Sequence, residues 1–283
     1  MTIQISVCIC TRNRADELEK AIRSIQDSTI SVQEIIVSDD STDSRTKDLL
    51  QHHFPDVIYL QGPRKGLCAN RNNALTKVNS THVMFMDDDV IMNDDFIETI
   101  VAKFHKAAEK EHDHIIVTGI EIKNGNYVYP NDQSFLGFQK KAYKDENLMT
   151  VVINSALFPM TLFKVIKFDE HLVYGYDEVD LTTRAVKYGY KIILCEEATN
   201  NHYPSPQNRD YYKPVKEASR IYVTYKRYCK TENSTIKAYI FLFLASFHVV
   251  LSKLKSSGLA GMKEAFSTLK ISRQYIQNMS HSD

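Results

Sequence analysis

The stretch Val83-Met84-Phe85-Met86-Asp87-Asp88-Asp89-Val90 decides the fold. Its four consecutive apolar residues, bounded by polar ones, are typical of a short strand buried on both faces, as in the middle of a parallel sheet. Because three adjacent carboxylates repel each other and resist desolvation, this strand end indicates a bound cation with its phosphate ligands. The alternative is an acidic loop that caps a helix beginning near Asp94.

The segments before this strand alternate between strand and helix patterns. Three apolar, β-branched runs predict strands that each end at polar residues: 3–10, 34–38 and 57–60. The helix after the first run has Asp16 as its expected N-cap, and Gly66 precedes another helix that reaches about residue 78. Such alternation predicts a parallel sheet with helices on both faces, whose carboxyl-end loops converge on one crevice.

Composition excludes several classes of protein. The 283 residues, 43% of them hydrophobic, suffice for one large domain with an appendage and no disulfide support. Lysine plus arginine and aspartate plus glutamate each total 35, so the chain has no overall positive charge that would attract nucleic acid.

The cysteines and the N-terminus indicate a reducing compartment. The cysteines form an odd set without a Cys-x-x-Cys pair, which favours buried reduced thiols and makes zinc unexpected: Cys8, Cys10, Cys68, Cys195 and Cys229. Residue 3 enters a strand without a preceding signal core or cleavage site, so we expect a protein that is not secreted.

Polar residues follow the predicted strands at the expected ligand edge. They are Thr11, Arg12, Asn13, Arg14, Asp40, Arg71 and the three aspartates from Asp87 to Asp89. Arg71 can neutralise phosphate oxygens, and Asp40 can accept hydrogen bonds from a base or a ribose. Each residue alone could be an ordinary turn or surface contact. Gly-x-Gly-x-x-Gly and Walker motifs are missing, which argues against nicotinamide and P-loop chemistry.

Two sets of motifs, taken in order and spacing, resemble the inverting family 2 glycosyltransferases of the GT-A fold. The first set is Thr11 to Arg14, Asp39-Asp40-Ser41-Thr42-Asp43, 66–72 and Met86 to Asp89. The second is Phe168-Asp169-Glu170, 175–184 and Gly189-Tyr190-Lys191. The resemblance covers about residues 3–203. It implies a GT-A-like, Rossmann-type mixed α/β sheet flanked by helices, with a C-terminal helical extension.

The resemblance also implies a division of the chain. Residues 1–212 would form the glycosyltransferase domain, with a nucleotide-sugar-binding half at 1–118 and an acceptor-binding half at 119–212. Residues 213–283 would form the helical extension.

The resemblance assigns roles to the strand-end residues. Asp89, helped by Asp87, would hold Mn²⁺ or Mg²⁺, and Asp88 would contact the donor nucleotide. Thr11, Arg12, Asn13, Arg14, Asp40 and Arg71 would also bind the donor nucleotide. His202 resembles the histidine that meets the metal or the diphosphate in many relatives, although a histidine before Tyr203-Pro204 can equally be structural.

One departure from the family concerns the catalytic base. The family usually has Glu-Asp with the second acid as base, whereas this chain has Asp177-Glu178. Position for position, Glu178 takes the base role, and Asp177 is the reserve candidate. The alternative is that Asp177, Glu178 and Asp180 merely stabilise the first turn of a helix.

The activity implied is transfer of one sugar from a nucleotide-diphosphate sugar to a hydroxyl of a glycan or lipid-linked acceptor in polysaccharide biosynthesis. Two alternatives are a non-catalytic nucleotide-sugar or glycan-binding relative and a sugar-phosphate nucleotidyltransferase. The latter needs a glycine-rich loop with a basic residue after the first strand, which this chain lacks. We expect part of the acceptor site among aromatic residues of 119–157, namely Tyr127, Tyr129, Phe135, Phe138 and Tyr143.

An apolar run near the C-terminus has basic flanks. Residues 238–251 are too few for a transmembrane span, which needs about 20 apolar residues. Residues 236–255 therefore predict a helix at a membrane surface, with the protein in the cytoplasm at the inner face of the cell membrane. A core helix of a small bundle and a contact between copies of a homo-oligomer are the alternatives.

Overall fold

The computed structural model describes residues 3–111, 114–143, 146–204 and 213–279. The strands are β1 Ile5–Thr11, β2 Glu34–Asp39, β3 Ile58–Gln61, β4 His82–Asp87, β5 Val90–Met92, β6 Ile115–Lys123, β7 Asn126–Val128, β8 Asn131–Gln133, β9 Gln139–Ala142, β10 Ala156–Pro159 and β11 Lys191–His202. The helices are α1 Ala15–Gln26, α2 Arg45–His53, α3 Leu67–Leu75, α4 Phe96–Glu111, α5 Met160–Phe163, α6 Asp177–Lys187, α7 Lys213–Lys226 and α8 Thr235–Asn278. A 3₁₀ turn, Ile153–Ser155, precedes β10, and a π-helical segment, Arg227–Thr231, follows α7.

The central sheet is mixed, in the order β3-β2-β1-β4-β10-β6-β11-β5, with β7 paired to β6. The first four strands are parallel, whereas β10 runs antiparallel to β4 and β6, and β5 runs antiparallel to β11. The expected mixed α/β sheet is thus confirmed. Cys10 pairs with Asp87 and Thr11 with Asp39, so the polar ends of β1, β2 and β4 lie at one edge.

Strand β11 contains an irregularity that matters for the site. Its pairing with β6 runs regularly to Leu194 opposite Thr118 and resumes at Thr199 opposite Ile120. A bulge therefore separates two paired halves of β11, and the second half ends at His202.

Alternate residues of the central strands contribute side chains to two core layers, one on each face of the sheet. Met84 and Met86 of β4 join the layer that includes α1 and α4, whereas Val83 and Phe85 join the opposite layer. This is the period of two that a pleated strand imposes. In the second layer, the Phe85 ring has three aromatic neighbours, Phe158, Phe163 and Phe168, at centroid distances from 4.9 to 6.0 Å.

Several expected helix boundaries are corrected. Helix α1 begins at Ala15 after Arg14, whose backbone is non-helical, so Asp16 lies within the first turn rather than at the N-cap. Helix α3 ends at Leu75 rather than near residue 78. The acidic triplet comprises the last residue of β4 and the two residues before β5, and α4 begins only at Phe96, so the triplet does not cap that helix.

All five cysteines are unpaired, as the sequence predicts. Cys8, Cys10, Cys68 and Cys195 are buried, and Cys229 is partly exposed.

The C-terminal helices pack on the sheet domain. Tyr222 and Val223 of α7 belong to the second core layer, and a third apolar cluster joins α7 to α8. Helix α8 breaks at Gly258, whose backbone is non-helical. By length and composition alone, α8 could cross a membrane, which corrects the expectation that this segment is too short. The expected boundary after residue 212 falls in 205–212, outside the described residues.

A buried ionic cluster fastens α7 to the sheet domain. Lys226 Nζ lies 2.6 Å from Asp169 Oδ2 and 3.2 Å from Asp180 Oδ1, and the Tyr222 hydroxyl donates to Asp169 Oδ2 at 2.6 Å. Burial alone would raise the pKa of Asp169, but the Lys226 ammonium and these hydrogen bonds outweigh it and lower that pKa.

Asp169→Asn should lower the free energy of unfolding by about 3 kcal/mol at pH 7, because Lys226 then keeps only one carboxylate partner in a buried site. The folded-state pKa of Asp169 lies below its unfolded value. The carboxylate thus stabilises the fold fully above about pH 5, and this stability is lost as the pH falls through the folded pKa. The variant should therefore show a shallower loss of Tm on acidification. Exposed Asp56→Asn is the matched control, and an equal slope in all three proteins would contradict the prediction.

Candidate active site

The acidic end of β4 is held by residues from the end of β1. Thr11 Oγ1 donates to Asp88 Oδ2 at 2.7 Å, and Arg14 Nη1 donates to Asp89 Oδ2 at 2.9 Å. Arg14 Nη2 also lies 3.0 Å from Asp88 Oδ1, although this oxygen receives no hydrogen bond of good geometry. Four predicted site residues at the ends of two strands are therefore brought together.

Asp88 is the most enclosed aspartate of the acidic triplet, and its contact with the donor nucleotide stays a prediction. It is fully buried, so its side chain faces Thr11 and Arg14 rather than an open cleft. Burial raises the pKa of Asp88 to about 7, with Arg14 and Thr11 acting in the opposite direction. In this structure Asp88 orders the strand ends, and direct contact with a nucleotide would need the side chain to become exposed.

His202 joins this group from the far edge of the sheet. Its Nε2 lies 3.3 Å from Asp89 Oδ1, and its Nδ1 lies 3.0 Å from Glu121 Oε2. Strand β11 delivers the ring, because His202 pairs with Val90 directly after the acidic triplet. Burial opposes a charged imidazole, but hydrogen bonds to Asp89 and Glu121 raise the pKa of His202 to about 9.

Glu121 is a site residue that sequence reasoning missed. Besides His202, its carboxylate accepts a 2.6 Å hydrogen bond from Asn154 Nδ2, and Asn154 Oδ1 accepts from the backbone N–H of Asp87 at 2.9 Å. Glu121 and Asn154 thus tie β6 and the 3₁₀ turn to the acidic strand end. Glu121 belongs to no sequence motif. An acid within an apolar strand can be assigned to the site only when its neighbours in the sheet are known.

The donor set suits a hard divalent cation. Among the described residues, no three histidine, cysteine, aspartate or glutamate side chains already enclose a metal position. However, the carboxylate of Glu121 pairs with Nδ1 of His202, which leaves Nε2 directed toward Asp89. Metal-binding histidines are usually oriented in this way by a carboxylate on the other ring nitrogen. Carboxylate oxygens with one imidazole nitrogen fit Mn²⁺ or Mg²⁺, so Asp87, Asp89 and His202 are compatible ligands.

Arg71 links the two halves of the chain. Its side chain is buried, with Nη2 3.2 Å from Asp87 Oδ1 and Nη1 in contact with Asp177 Oδ2. The guanidinium also stacks 5.4 Å from the ring centroid of Phe168. The strand end and the start of α6 therefore meet at one cation. Contact of Arg71 with donor phosphates stays a prediction, since both hydrogen-bonding sides described here face carboxylates.

A strained turn presents the acidic pair. Gly175 and Tyr176 adopt positive φ angles of 79° and 63° before α6 begins at Asp177. A left-handed conformation costs a non-glycine residue about 1–2 kcal/mol, and burial of the Tyr176 side chain in the core offsets that cost. A Cβ at Gly175 would lie 3.1 Å from Lys216 Cγ, so this turn also packs closely on α7.

The two acids of the pair have different surroundings. Asp177 is buried against Arg71, whereas Glu178 is partly exposed. Burial of the Glu178 carboxyl group raises its pKa. Its own backbone N–H, the charges of Arg71 and Lys216, and a hydrogen bond from Gln139 act in the opposite direction. The helix-stabilising alternative fits Asp180, whose Oδ2 accepts from Arg184 Nε at 3.0 Å.

Lys216 and Gln139 were also missed by sequence reasoning. Lys216 lies in the segment assigned to the extension, yet its charge acts on Glu178. Gln139 comes from the β8–β9 hairpin, which is far from Glu178 in sequence. Neither residue belongs to a motif, so only the packing of α7 and of the hairpin against α6 reveals them.

The predicted nucleotide residues on β1 and β2 lie around a loop at the same sheet edge. Asp40 is buried, and its Oδ1 accepts from the backbone N–H of Arg64 at 2.8 Å. Burial raises the pKa of Asp40. Asn13 is exposed with a φ of 57°, and its Oδ1 accepts from the backbone N–H of Thr42 at 2.8 Å. Arg12 is exposed, and its charge acts on Asp40.

The aromatic residues expected at the acceptor site separate into two groups. Tyr127 on β7 is exposed. Phe135 and Phe138 instead pack on the C-terminal helices, with Phe135 stacked on Tyr228 at 5.5 Å. Both rings therefore contact the helical extension. Tyr143 is partly buried with its hydroxyl 3.1 Å from Thr150 Oγ1, and Tyr129 is partly buried as well.

Solved structures share this architecture. S. aureus TarS aligns with a TM-score of 0.62 and 16% identity, over 99% of this chain and 50% of that chain. GalNAc-T7, solved with UDP, GalNAc and Mn²⁺, aligns with a TM-score of 0.68 and 13% identity, over 98% and 56%. The fold is that of the GT-A glycosyltransferases, a curled central sheet flanked by helices.

Sequence comparison then gives the family. The model of glycosyl transferase family 2 matches residues 6–168, more than half of the chain, so this chain belongs to that family. A Campylobacter jejuni GalNAc(5)-diNAcBac-PP-undecaprenol beta-1,3-glucosyltransferase is 31% identical over 58% of this chain and 52% of its own length. A Bacillus subtilis uncharacterized glycosyltransferase, YwdF, is 26% identical over 68% of this chain and 72% of its own. The chain therefore spans about half the length of the Campylobacter relative.

Arg71→Met should lower the free energy of unfolding by about 3–5 kcal/mol, because Asp177 would be left buried without its cation. Adding Asp177→Asn should recover part of this loss, giving a coupling energy of at least about 1 kcal/mol in a urea-denaturation double-mutant cycle. Arg45→Met, which removes an exposed arginine 3.0 Å from Asp43, is the matched control and should have little effect. If the two single substitutions lowered the free energy of unfolding additively, the ion pair between Arg71 and Asp177 would contribute no coupling energy.

Proposed function

We propose that this chain is an inverting, metal-dependent glycosyltransferase that moves one sugar from a nucleotide-diphosphate sugar to a hydroxyl of a glycan or lipid-linked acceptor, in polysaccharide biosynthesis in the cytoplasm. The observation that carries the proposal is the Arg71 bridge, which brings the acidic end of β4 beside the acidic pair of α6. A donor-side cation site and a base for the acceptor are then neighbours. Family membership and the names of the relatives support the same reaction class.

The donor side would use the strand ends. Asp40 offers an acceptor for a base or a ribose, and Arg12 supplies nearby positive charge. Asp87, Asp89 and His202 would hold the cation. When bound, Mn²⁺ or Mg²⁺ would neutralise the diphosphate and stabilise it as a leaving group. The neighbour solved with UDP and Mn²⁺ supports this assignment at the level of the fold.

Glu178 is the better supported base. Glu178 has the raised pKa that suits a proton acceptor, because burial of its carboxyl group outweighs the nearby charges of Arg71 and Lys216. Asp177 is buried against a guanidinium, which stabilises the ionised form and weakens it as a proton acceptor. Glu178 would take the hydroxyl proton as that oxygen attacks the anomeric carbon from the face opposite the phosphate. Asp177 would hold the turn in place.

Two other functions are less well supported. A sugar-phosphate nucleotidyltransferase would need a glycine-rich basic loop after β1, where this chain has Thr11 and Arg14 engaged with Asp88 and Asp89. A non-catalytic glycan-binding relative would have no use for both an assembled carboxylate edge and a partly exposed acid with a raised pKa.

Glu178→Gln should lower kcat about 10²–10⁴-fold while leaving donor binding intact, because the amide cannot accept the proton. The measurement pairs steady-state transfer with calorimetric titration of nucleoside diphosphates in the presence of Mn²⁺. Asp177→Asn is the matched comparison and should act mainly on stability. If Asp177→Asn abolished transfer in a folded protein while Glu178→Gln did not, the two roles would have to be exchanged.

Asp89→Asn should weaken Mn²⁺ binding about 10-fold or more, because the variant loses a charged oxygen ligand next to His202. Electron paramagnetic resonance titration of Mn²⁺ measures this without any turnover, and transfer assays with chelator test the same site by activity. Asp95→Asn, an exposed aspartate beyond β5, is the control. Unchanged Mn²⁺ affinity, or full transfer in chelator, would count against a metal at this strand end.

A further inference from the structure

Helix α8 carries two separate apolar faces on its first arm, 235–257. One face is buried against α7 and consists of Ala238, Phe241, Ala245 and Val249. The other is exposed and consists of Ile236, Tyr239, Ile240, Phe243, Leu244, Phe247, Leu251 and Leu254, hereafter the outer stripe. Phe243 is 73% exposed and Ile236 is 77% exposed. Because the helix repeats every 3.6 residues, these spacings put the two faces on opposite sides.

The outer stripe continues onto the β8–β9 hairpin. Phe135 and Leu136 of the hairpin turn share a cavity of about 520 Å³ with stripe residues Leu244, Phe247 and Leu251. The hairpin is fixed to the C-terminal helices by Phe138, whose ring lies 5.3 Å from His248 and 4.1 Å from the Arg220 guanidinium. A contiguous exposed apolar patch of this kind marks an interaction site.

Charge favours one occupant of this patch. Residues 235–278 contain six basic residues and one acidic residue, although the whole chain has a formal net charge of zero. Lys237 and Lys253 contact Glu232 and Glu264, whereas no ion pair is described for Lys255. An apolar stripe with aromatic residues and lysines beside it suits an anionic bilayer surface. A second copy of the chain would bring the same positive charges together.

We propose that the outer stripe docks this protein on the surface of an anionic lipid bilayer, with the first arm of α8 lying in the plane of the membrane. The arm does not span the bilayer, since its inner face packs on Ile221 and Tyr225 of α7. Gly258 also folds the second arm back, so that Lys253 Nζ lies 2.6 Å from Glu264 Oε2 and Gly261 packs against the carbonyl of Lys253.

The docking face is connected to the proposed base. The hairpin that contributes Phe135 to the patch also supplies Gln139, which hydrogen-bonds to Glu178. A membrane-bound protein would therefore hold its catalytic cleft near the lipid surface, where a lipid-linked acceptor presents its head group. This inference goes beyond the proposed function, and its test needs no sugar donor.

The sequence contains no tryptophan, so the fluorescence of a single introduced tryptophan reports on one chosen position. Phe243→Trp in the full chain should show a blue-shifted emission on adding phosphatidylglycerol vesicles, and a smaller shift with phosphatidylcholine vesicles. Tyr188→Trp, at a 54% exposed position outside α8, is the matched control and should not shift. Equal shifts at both positions, or none at Phe243→Trp, would overturn the proposal.

A second variant tests binding directly. Phe243→Asp/Phe247→Asp should reduce the partition coefficient for anionic vesicles at least about tenfold in a flotation assay, because two apolar contacts become charged. Val165→Asp, at another exposed apolar position, should bind like the wild type. Binding that persists in the double variant would overturn the docking face. A wild-type dimer in light scattering that the double variant dissociates would assign the stripe to a second copy. Resistance to alkaline carbonate extraction would overturn the in-plane geometry.

Discussion

The structure depends on one buried cation shared between two carboxylates. Arg71 contacts Asp87 at the end of β4 and Asp177 at the start of α6, and these residues belong to the two different halves of the chain. Leaving the buried Asp177 without this cation would be costly, so the ion pair constrains where α6 can sit. The turn at Gly175 and Tyr176 leads directly into α6, so it fixes the position of Asp177 and of Glu178, the residue after it. Placement of the proposed base thus follows from charge neutralisation deeper in the protein.

The C-terminal extension is an integral part of this arrangement. Its Lys226 neutralises Asp169 and Asp180, and its Lys216 acts on Glu178. The extension and the sheet domain therefore share both a core layer and an electrostatic network, so a change in α7 would be felt at the cleft. The hairpin reinforces this connection, because its adjacent residues Phe138 and Gln139 contact α8 and α6 respectively.

The sequence predicted the central strands and the acidic positions because both follow local rules. The apolar run from Val83 to Met86, bounded by polar residues, favours a buried strand, and the acidic triplet follows directly in the sequence. The partners of those acids could not be predicted in the same way. Glu121 reaches His202 only because β6 lies beside β11, and Asn154 reaches Asp87 only because β10 inserts between β4 and β6. These pairings join residues far apart in sequence, and no local pattern encodes them. For Asp88 the reverse holds. The sequence motif predicted its position, whereas its contacts depend on its burial in the folded protein.

The bulge in β11 has a geometric consequence for this edge of the sheet. Between Leu194 and Thr199 the strand advances five residues while β6 advances two, so three extra residues are inserted. Three is an odd number, and side chains of a strand alternate between the two faces of a sheet. If the residues from Leu194 to His202 instead alternated regularly, the imidazole would lie on the face of Thr118, which is opposite to the face of Glu121. The face of the sheet on which the His202 ring lies is therefore set by whether the bulge in β11 inserts an odd or an even number of residues.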